Sequence, residues 1–184
     1  SRFGVVAVGV GLELLLFLLY LIWAHFRSPA PFNPPSVDDL IIGLVGALIL
    51  SICNGLFLYL LNKGTDWSKT TRQFLDEIVK PLADLLNIWS ALLLSVAAGI
   101  GEELFFRGTV MSEFGLLASS ILFSLMHFGI AARNYLFLVL WYSCMGAFLA
   151  GLAIYSNGLW AAIVAHALYD FIALLYMRKY YQAQ

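Results

Sequence analysis

Residues Ile88–Arg107 read IWSALLLSVAAGIGEELFFR. From Ile88 to Gly101 there is no charge, and then Glu102, Glu103 and Arg107 follow within six positions. An apolar run of about 20 residues crosses ~30 Å of hydrocarbon as a helix. On translocon scales a charged side chain near the centre of such a helix costs about 2.5–3.5 kcal/mol. A stretch of this kind predicts a membrane helix whose ionisable residues are kept for packing or for chemistry.

Five further apolar runs surround it: Val5 to Ala24, Leu40 to Leu61, the shorter Phe114 to Phe128, Tyr135 to Tyr155 and Leu159 to Met177. Prolines 29, 31, 34 and 35 make the first connector irregular and extended. Residues Asn62 to Arg72 read as a polar loop. Gln73 to Asn87 alternates apolar and charged residues at helical spacing, which predicts an amphipathic helix at the membrane interface, with Pro81 marking a kink or a new start. Ser156-Asn157-Gly158 reads as a tight turn. Trp23, Trp89 and Trp160 fall near run ends, where an indole suits the headgroup layer, and Trp141 reads as a packing residue.

Composition agrees. Of 184 residues 62% are apolar and 11% charged, against about 25% charged in soluble domains, and the mean hydropathy is +0.89. So much apolar surface excludes an ordinary soluble domain and a disordered chain. A net charge of −1 without a basic tract excludes a nucleic-acid binder. Cys53 and Cys144 lie in apolar runs and read as small core residues, not a disulfide framework. The chain begins at Ser1, and an initiator Met or a longer N-terminus is expected before it.

The reading is therefore an all-α polytopic membrane protein of about six transmembrane helices plus an interfacial amphipathic helix. One integral domain covers 1–184. Residues 1–72 hold two N-terminal helices with their loops, and 73–184 hold the interfacial helix and a four-helix core, the part expected to carry any catalytic residues. With six crossings, Arg2, Lys63, Lys69, Arg72, Lys80, Arg133, Arg178 and Lys179 share one side, against Arg27 and Arg107 on the other. This eight-to-two bias predicts a multi-pass protein of a plasma (inner) membrane with both termini cytoplasmic.

The ionisable residues inside the runs are Glu13, Glu102, Glu103, Arg107, His127, His166 and Asp170. Residues four apart on a helix share a face, so Glu103 can pair with Arg107, while Glu102 points about 100° away. Two carboxylates beside one guanidinium leave a negative charge uncompensated, a setting that suits a base exchanging protons near neutral pH. His166 and Asp170 share another face, where a carboxylate can orient an imidazole. His127 ends the fourth run, four residues after Phe123. The small residues Ser95 to Gly101 suit close helix packing or room for a substrate backbone. Glu13 lacks a local partner and reads as a packing or lipid-interface residue, and His25 as interfacial.

Taken in order, Glu102-Glu103-x-x-x-Arg107, Phe123-x-x-x-His127 and His166-x-x-x-Asp170 resemble the CPBP family of intramembrane proteases, the CAAX-protease and bacteriocin-processing (Abi) proteins, similar to type II CAAX prenyl endopeptidases. The resemblance covers about Leu82 to Met177, roughly half the chain. It implies a metal-independent glutamate protease with no cofactor. Glu102 would activate a water held by His127, Glu103 and Arg107 would form a supporting ion pair, and His166 with the residue four later would bind the oxyanion. The common pattern has Asn last. Asp170 cannot donate a hydrogen bond unless protonated, so orienting His166 suits it better.

The implied substrate is a membrane-associated peptide or protein, prenylated or a leader or signal peptide, with membrane lipid as the second partner and no nucleic acid. Two alternatives remain open. Glu102, His127 and His166 could ligate zinc in an intramembrane metalloprotease, although no His-Glu-x-x-His helix is present. The same buried charges could instead belong to a non-enzymatic scaffold or line an ion or proton pathway.

Overall fold

The computed structural model describes residues 1–27, 32–61 and 66–182. Its helices are α1 (Arg2–Phe26), α2 (Val37–Leu61), α3 (Asp66–Phe74), a π-helical turn (Leu75–Val79), α4 (Lys80–Leu85), α5 (Ile88–Phe105), a second π turn (Phe106–Val110), α6 (Met111–Phe128), a 3-10 turn (Gly129–Asn134), α7 (Leu136–Tyr155) and α8 (Trp160–Gln182). There is no strand among the described residues, and the chain is an all-α polytopic membrane protein. Part of the proline-rich connector, 28–31, and part of the expected polar loop, 62–65, fall outside the described residues.

Local chemistry starts the helices. Ser36 and Asp39 hydrogen-bond reciprocally at the head of α2, Ser36 N–H to Asp39 Oδ2 at 2.9 Å and Asp39 N–H to Ser36 Oγ at 3.1 Å. Asn87 Oδ1 accepts from Ser90 N–H at 2.8 Å and caps α5. Small residues then let the helices close up. A Cβ built at Gly43 of α2 would sit 2.6 Å from Val164 of α8, and one at Gly99 of α5 would sit 3.0 Å from the Ile163 carbonyl. The outer faces stay apolar: Leu14, Leu44, Leu48 and Leu140 are all more than half exposed, as lipid-facing side chains are.

Three expectations change. The third and fourth runs form one helical stretch, Ile88–Asn134, that doubles back at Gly115 (φ 81°, ψ 171°), a conformation glycine adopts readily. Ser119 Oγ donates to the Phe106 carbonyl at 2.8 Å, although 13 residues of straight helix would separate them by about 20 Å. Among the described residues five stretches are long and apolar enough to cross a membrane, the doubled-back one counting once, and its return leg from 116 to 128 is short, as the fourth run is in the sequence.

The residues from Asp66 to Arg72, read as loop, are helical. Ser68 and Thr71 are buried there, and Arg72 Nη2 donates to the Leu61 carbonyl at 3.0 Å. The expected helix at 73–87 is therefore the second part of a longer one that ends at Leu85, and Pro81 sits in the first turn after the π turn, where its missing N–H is tolerated. Finally, Cys53 and Cys144 are exposed on the outer surface, because an apolar run does not reveal which of its faces is inward.

Side-chain contacts define the two ends of the bundle. At one end Arg2 Nε donates to the Leu85 carbonyl at 2.7 Å, Phe74 packs on Phe128 with ring centroids 5.3 Å apart, and Met177 packs on Ala83. At the other, Phe32 stacks on Trp160 at 5.0 Å and Trp160 Nε1 donates to the Asn33 carbonyl at 2.5 Å. The start of α1, the last turns of α8, the α3–α4 segment and the end of α6 therefore share the first end.

Candidate active site

The polar residues of α5 face inward because small neighbours bring α1 and α8 against them. Glu102 is 5% exposed, and Glu103 and Arg107 are fully buried. Arg107 lies in the π turn, a device common at functional sites. Its Nη1 donates to Glu103 Oε1 at 2.9 Å and its Nη2 to the Gly146 carbonyl at 2.9 Å. The guanidinium carbon stands 4.5 Å from the centroid of the Phe123 ring, a cation–π placement.

Glu103 is the hub of the site. The same Oε1 accepts from His166 Nδ1 at 2.8 Å, while His166 Nε2 lies 3.4 Å from Asp170 Oδ2. Arg107, Glu103, His166 and Asp170 thus form a line of polar contacts from α5 to α8, with cationic or ionisable nitrogen alternating with carboxylate. Pairing of this kind is what lets ionised groups remain in a low-dielectric interior.

His127 stands at the end of α6, in the last turn before Gly129 (φ 51°). Its Nδ1–H donates to the Phe123 carbonyl at 2.9 Å. That bond leaves Nε2 as the acceptor nitrogen. Nε2 faces Glu102 Oε1 at 3.9 Å, too far for a direct hydrogen bond and the right span for a bridging water. Phe123 touches both histidines, with ring centroids 4.8 Å from His127 and 5.9 Å from His166.

The sequence-predicted residues are accordingly linked as Glu102 with His127, and as Glu103 with Arg107, His166 and Asp170. His166 directs one nitrogen at Glu103 and the other at Asp170. Among the described residues no three His, Cys, Asp or Glu side chains are placed as metal ligands.

Glu13 corrects the sequence reading. It does not face lipid. It lines the same cavity as His127, His166 and Asp170, and its Oε2 is buried without a hydrogen-bond partner. A Cβ at Gly101, the residue before Glu102, would sit 2.7 Å from the Glu13 carbonyl oxygen and 2.8 Å from Oε2. The signal that could have found it is helical spacing. Gly9, Glu13, Leu16 and Tyr20 share one face of α1, and that face packs on α5 and on the turn that follows it.

The cavity has a volume of about 370 Å³ and a largely apolar wall. From the polar cluster it runs past Phe57 and Leu174 to Leu75, Val79 and Leu82, at the bundle end that holds α3 and α4. An enclosed carboxylate, Glu102, facing an acceptor imidazole that lines this apolar channel can deprotonate a water beside an extended, apolar substrate.

Residues 84–172 match the family model described as type II CAAX prenyl endopeptidase Rce1-like. No curated protein and no solved structure matches the chain. The matched segment holds Glu102, Glu103, Arg107, His127, His166 and Asp170, whereas Glu13 lies outside it. The chain is an integral, multi-pass membrane protein, and its residues 84–172, just under half of it, are similar to the Rce1-like type II CAAX prenyl endopeptidases.

Proposed function

We propose that the protein is an intramembrane endopeptidase that hydrolyses a peptide bond with a water activated by Glu102. The observation that carries this reading is the facing pair, Glu102 Oε1 and His127 Nε2, 3.9 Å apart with the imidazole tautomer set by the Phe123 carbonyl. Two hydrogen bonds of about 2.8 Å from one water reach across that gap at nearly a right angle, which suits the two O–H bonds of water. Glu102 takes one proton as the water oxygen adds to the scissile carbonyl carbon. The C–N bond then breaks, and the proton held by Glu102 passes to the leaving amine.

Glu103 and Arg107 hold His166 and the back of the site in place. Asp170 orients His166 in this reading, consistent with the 3.4 Å approach to Nε2. The apolar channel receives the hydrophobic part of a membrane-associated substrate, and the similarity of residues 84–172 to type II CAAX prenyl endopeptidases supports a CAAX peptide carrying a prenyl group.

The positive-inside rule supports a cytoplasmic location for the bundle end that bears both chain ends. Among the described residues Arg2, Lys69, Arg72, Lys80, Arg133, Arg178 and Lys179 belong to that end, against Arg27 at the other. The channel then opens toward the cytoplasmic leaflet of a plasma (inner) membrane.

The test is cleavage of an internally quenched, prenylated CAAX peptide by the purified protein in detergent or liposomes. Wild type should release the C-terminal fragment, and Glu102→Gln should not. Cleavage by Glu102→Gln at the wild-type rate would overturn the mechanism.

A further inference from the structure

Hydrolysis through a tetrahedral intermediate needs a donor for the developing oxyanion, and hydrogen bonds aimed at that oxygen contribute more than any other single group. The residues expected to supply it are poorly placed to do so. His166 turns Nδ1 to Glu103 at 2.8 Å and Nε2 to Asp170 at 3.4 Å. Asp170 is an acceptor when ionised. Arg107 is fully buried behind Glu103 and the Gly146 carbonyl. A donor must therefore come from elsewhere in the cavity wall.

We infer that Tyr142 of α7 is that donor, a catalytic residue whose O–H binds the oxyanion of the tetrahedral intermediate. The assignment rests on the hydrolysis proposed above. Tyr142 lines the cavity, and its ring lies against His127 with centroids 5.0 Å apart. Phe128 packs edge-on against it at 5.2 Å and fixes the ring. Among the described residues its hydroxyl makes no hydrogen bond, and it shares the cavity wall with His127, His166 and Asp170.

The two other hydroxyls in the wall are less well placed. Tyr169 already directs its O–H at Met145 Sδ, 3.9 Å away. Ser95 is two helical turns before Glu102, about 10 Å along α5. Tyr142 is the hydroxyl in ring contact with the histidine that holds the water.

The step balances without a further reactant. Glu102 receives a proton from water, and the hydroxide oxygen bonds to the carbonyl carbon. The C=O π pair moves onto oxygen, and the Tyr142 O–H hydrogen-bonds that oxygen without being transferred. Collapse restores C=O, breaks C–N and sends the Glu102 proton to the amine. An O–H donor at residue 142 also explains how a chain with Asp at position 170, an acceptor, can still stabilise an oxyanion.

The experiment compares wild type, Tyr142→Phe, Glu102→Gln and the double variant Tyr142→Phe/Asp170→Asn on the quenched prenylated CAAX peptide. Phenylalanine keeps the ring against His127 and Phe128, so the melting temperature should not move. Tyr142→Phe should lower kcat about 100- to 1,000-fold, the cost of one lost oxyanion donor, with KM unchanged. Asp170→Asn supplies an N–H at the same site and should restore at least about tenfold of that loss in the double variant.

A kcat within about twofold of wild type in Tyr142→Phe while Glu102→Gln is dead overturns this assignment alone. So does a loss matched by a lower melting temperature, or one that Asp170→Asn does not relieve. An active Glu102→Gln overturns the hydrolytic reading itself.

Discussion

His166 Nδ1–H on α8 donates to Glu103 Oε1 on α5 across 2.8 Å, joining residues 63 positions apart inside the bundle. The carboxylate that pairs with Arg107 therefore also sets the ring of His166. Removing its charge strands both partners at once.

Glu103→Gln should accordingly unfold more easily than Glu102→Gln. Breaking a buried pair by removing one partner costs about 3–5 kcal/mol, and Arg107 and Glu103 are both fully buried. Glu102 has one buried oxygen without a hydrogen bond and only the distant His127 contact at 3.9 Å, so neutralising it should be nearly neutral for stability while stopping cleavage. Thermal unfolding of the two variants in detergent compares them directly. A lower melting temperature for Glu102→Gln would reverse the division of labour.

Gly101→Ala should loosen α1 from α5. The new Cβ would meet the Glu13 backbone oxygen at 2.7 Å, and backbone cannot move aside as a flexible side chain can. Overpacking of this kind costs about 1–3 kcal/mol. The melting temperature should fall, and activity should fall with it because Glu13 and Glu102 are displaced together. A variant of unchanged stability would show that α1 is not seated on this glycine.

How much of this was legible from residues alone depends on range. The pairs four apart, Glu103 with Arg107 and His166 with Asp170, follow from helical geometry. The Glu103–His166 bond and the place of Glu13 depend on which helix faces which, and no local pattern encodes that. The α3 helix was hidden for a related reason. Its Ser68, Thr70 and Thr71 have weak helix propensity and read as loop, yet Ser68 and Thr71 are buried in the bundle. The reversal at Gly115 was legible in part: the apolar runs break between Phe106 and Phe114, but the backbone stays helical through that polar stretch and turns only at the glycine.

Cysteines introduced at Lys69 and Asn157 should label from opposite sides of the membrane, in a background without the exposed Cys53 and Cys144. Lys69 lies on the α3 segment, at the end where Phe74 meets Phe128. Asn157 lies in the turn beside Trp160, at the end where Phe32 and Asn33 pack. Both sites are exposed, unlike the neighbouring Ser68. Labelling of both from one side would refute the arrangement of the two ends.

Cleavage should survive prolonged treatment with a strong chelator. The mechanism uses Glu102 and His127 around a water, and both nitrogens of His166 are directed at carboxylates. Metal analysis alongside the peptide assay separates this from the zinc reading. Stoichiometric zinc whose removal abolishes cleavage would replace the glutamate mechanism with a metalloprotease using Glu102, His127 and His166.

The pH profile tests the base itself. Glu102 accepts a proton from water only when ionised, and His127 accepts the second hydrogen bond only when Nε2 is unprotonated, as its Nδ1 bond to the Phe123 carbonyl requires. Lowering the pH fills both positions with protons. The sign is therefore fixed: kcat/KM falls as pH drops, by about tenfold per unit where one group titrates and up to about a hundredfold where both do. The fall should be reversible on returning to neutral pH, which distinguishes titration from unfolding. Glu102→Gln should lose the steeper part of the acid limb, its residual rate keeping at most the tenfold-per-unit fall that His127 contributes. A flat wild-type profile through the acidic range, in protein shown by circular dichroism to stay folded, would remove Glu102 from the role of base.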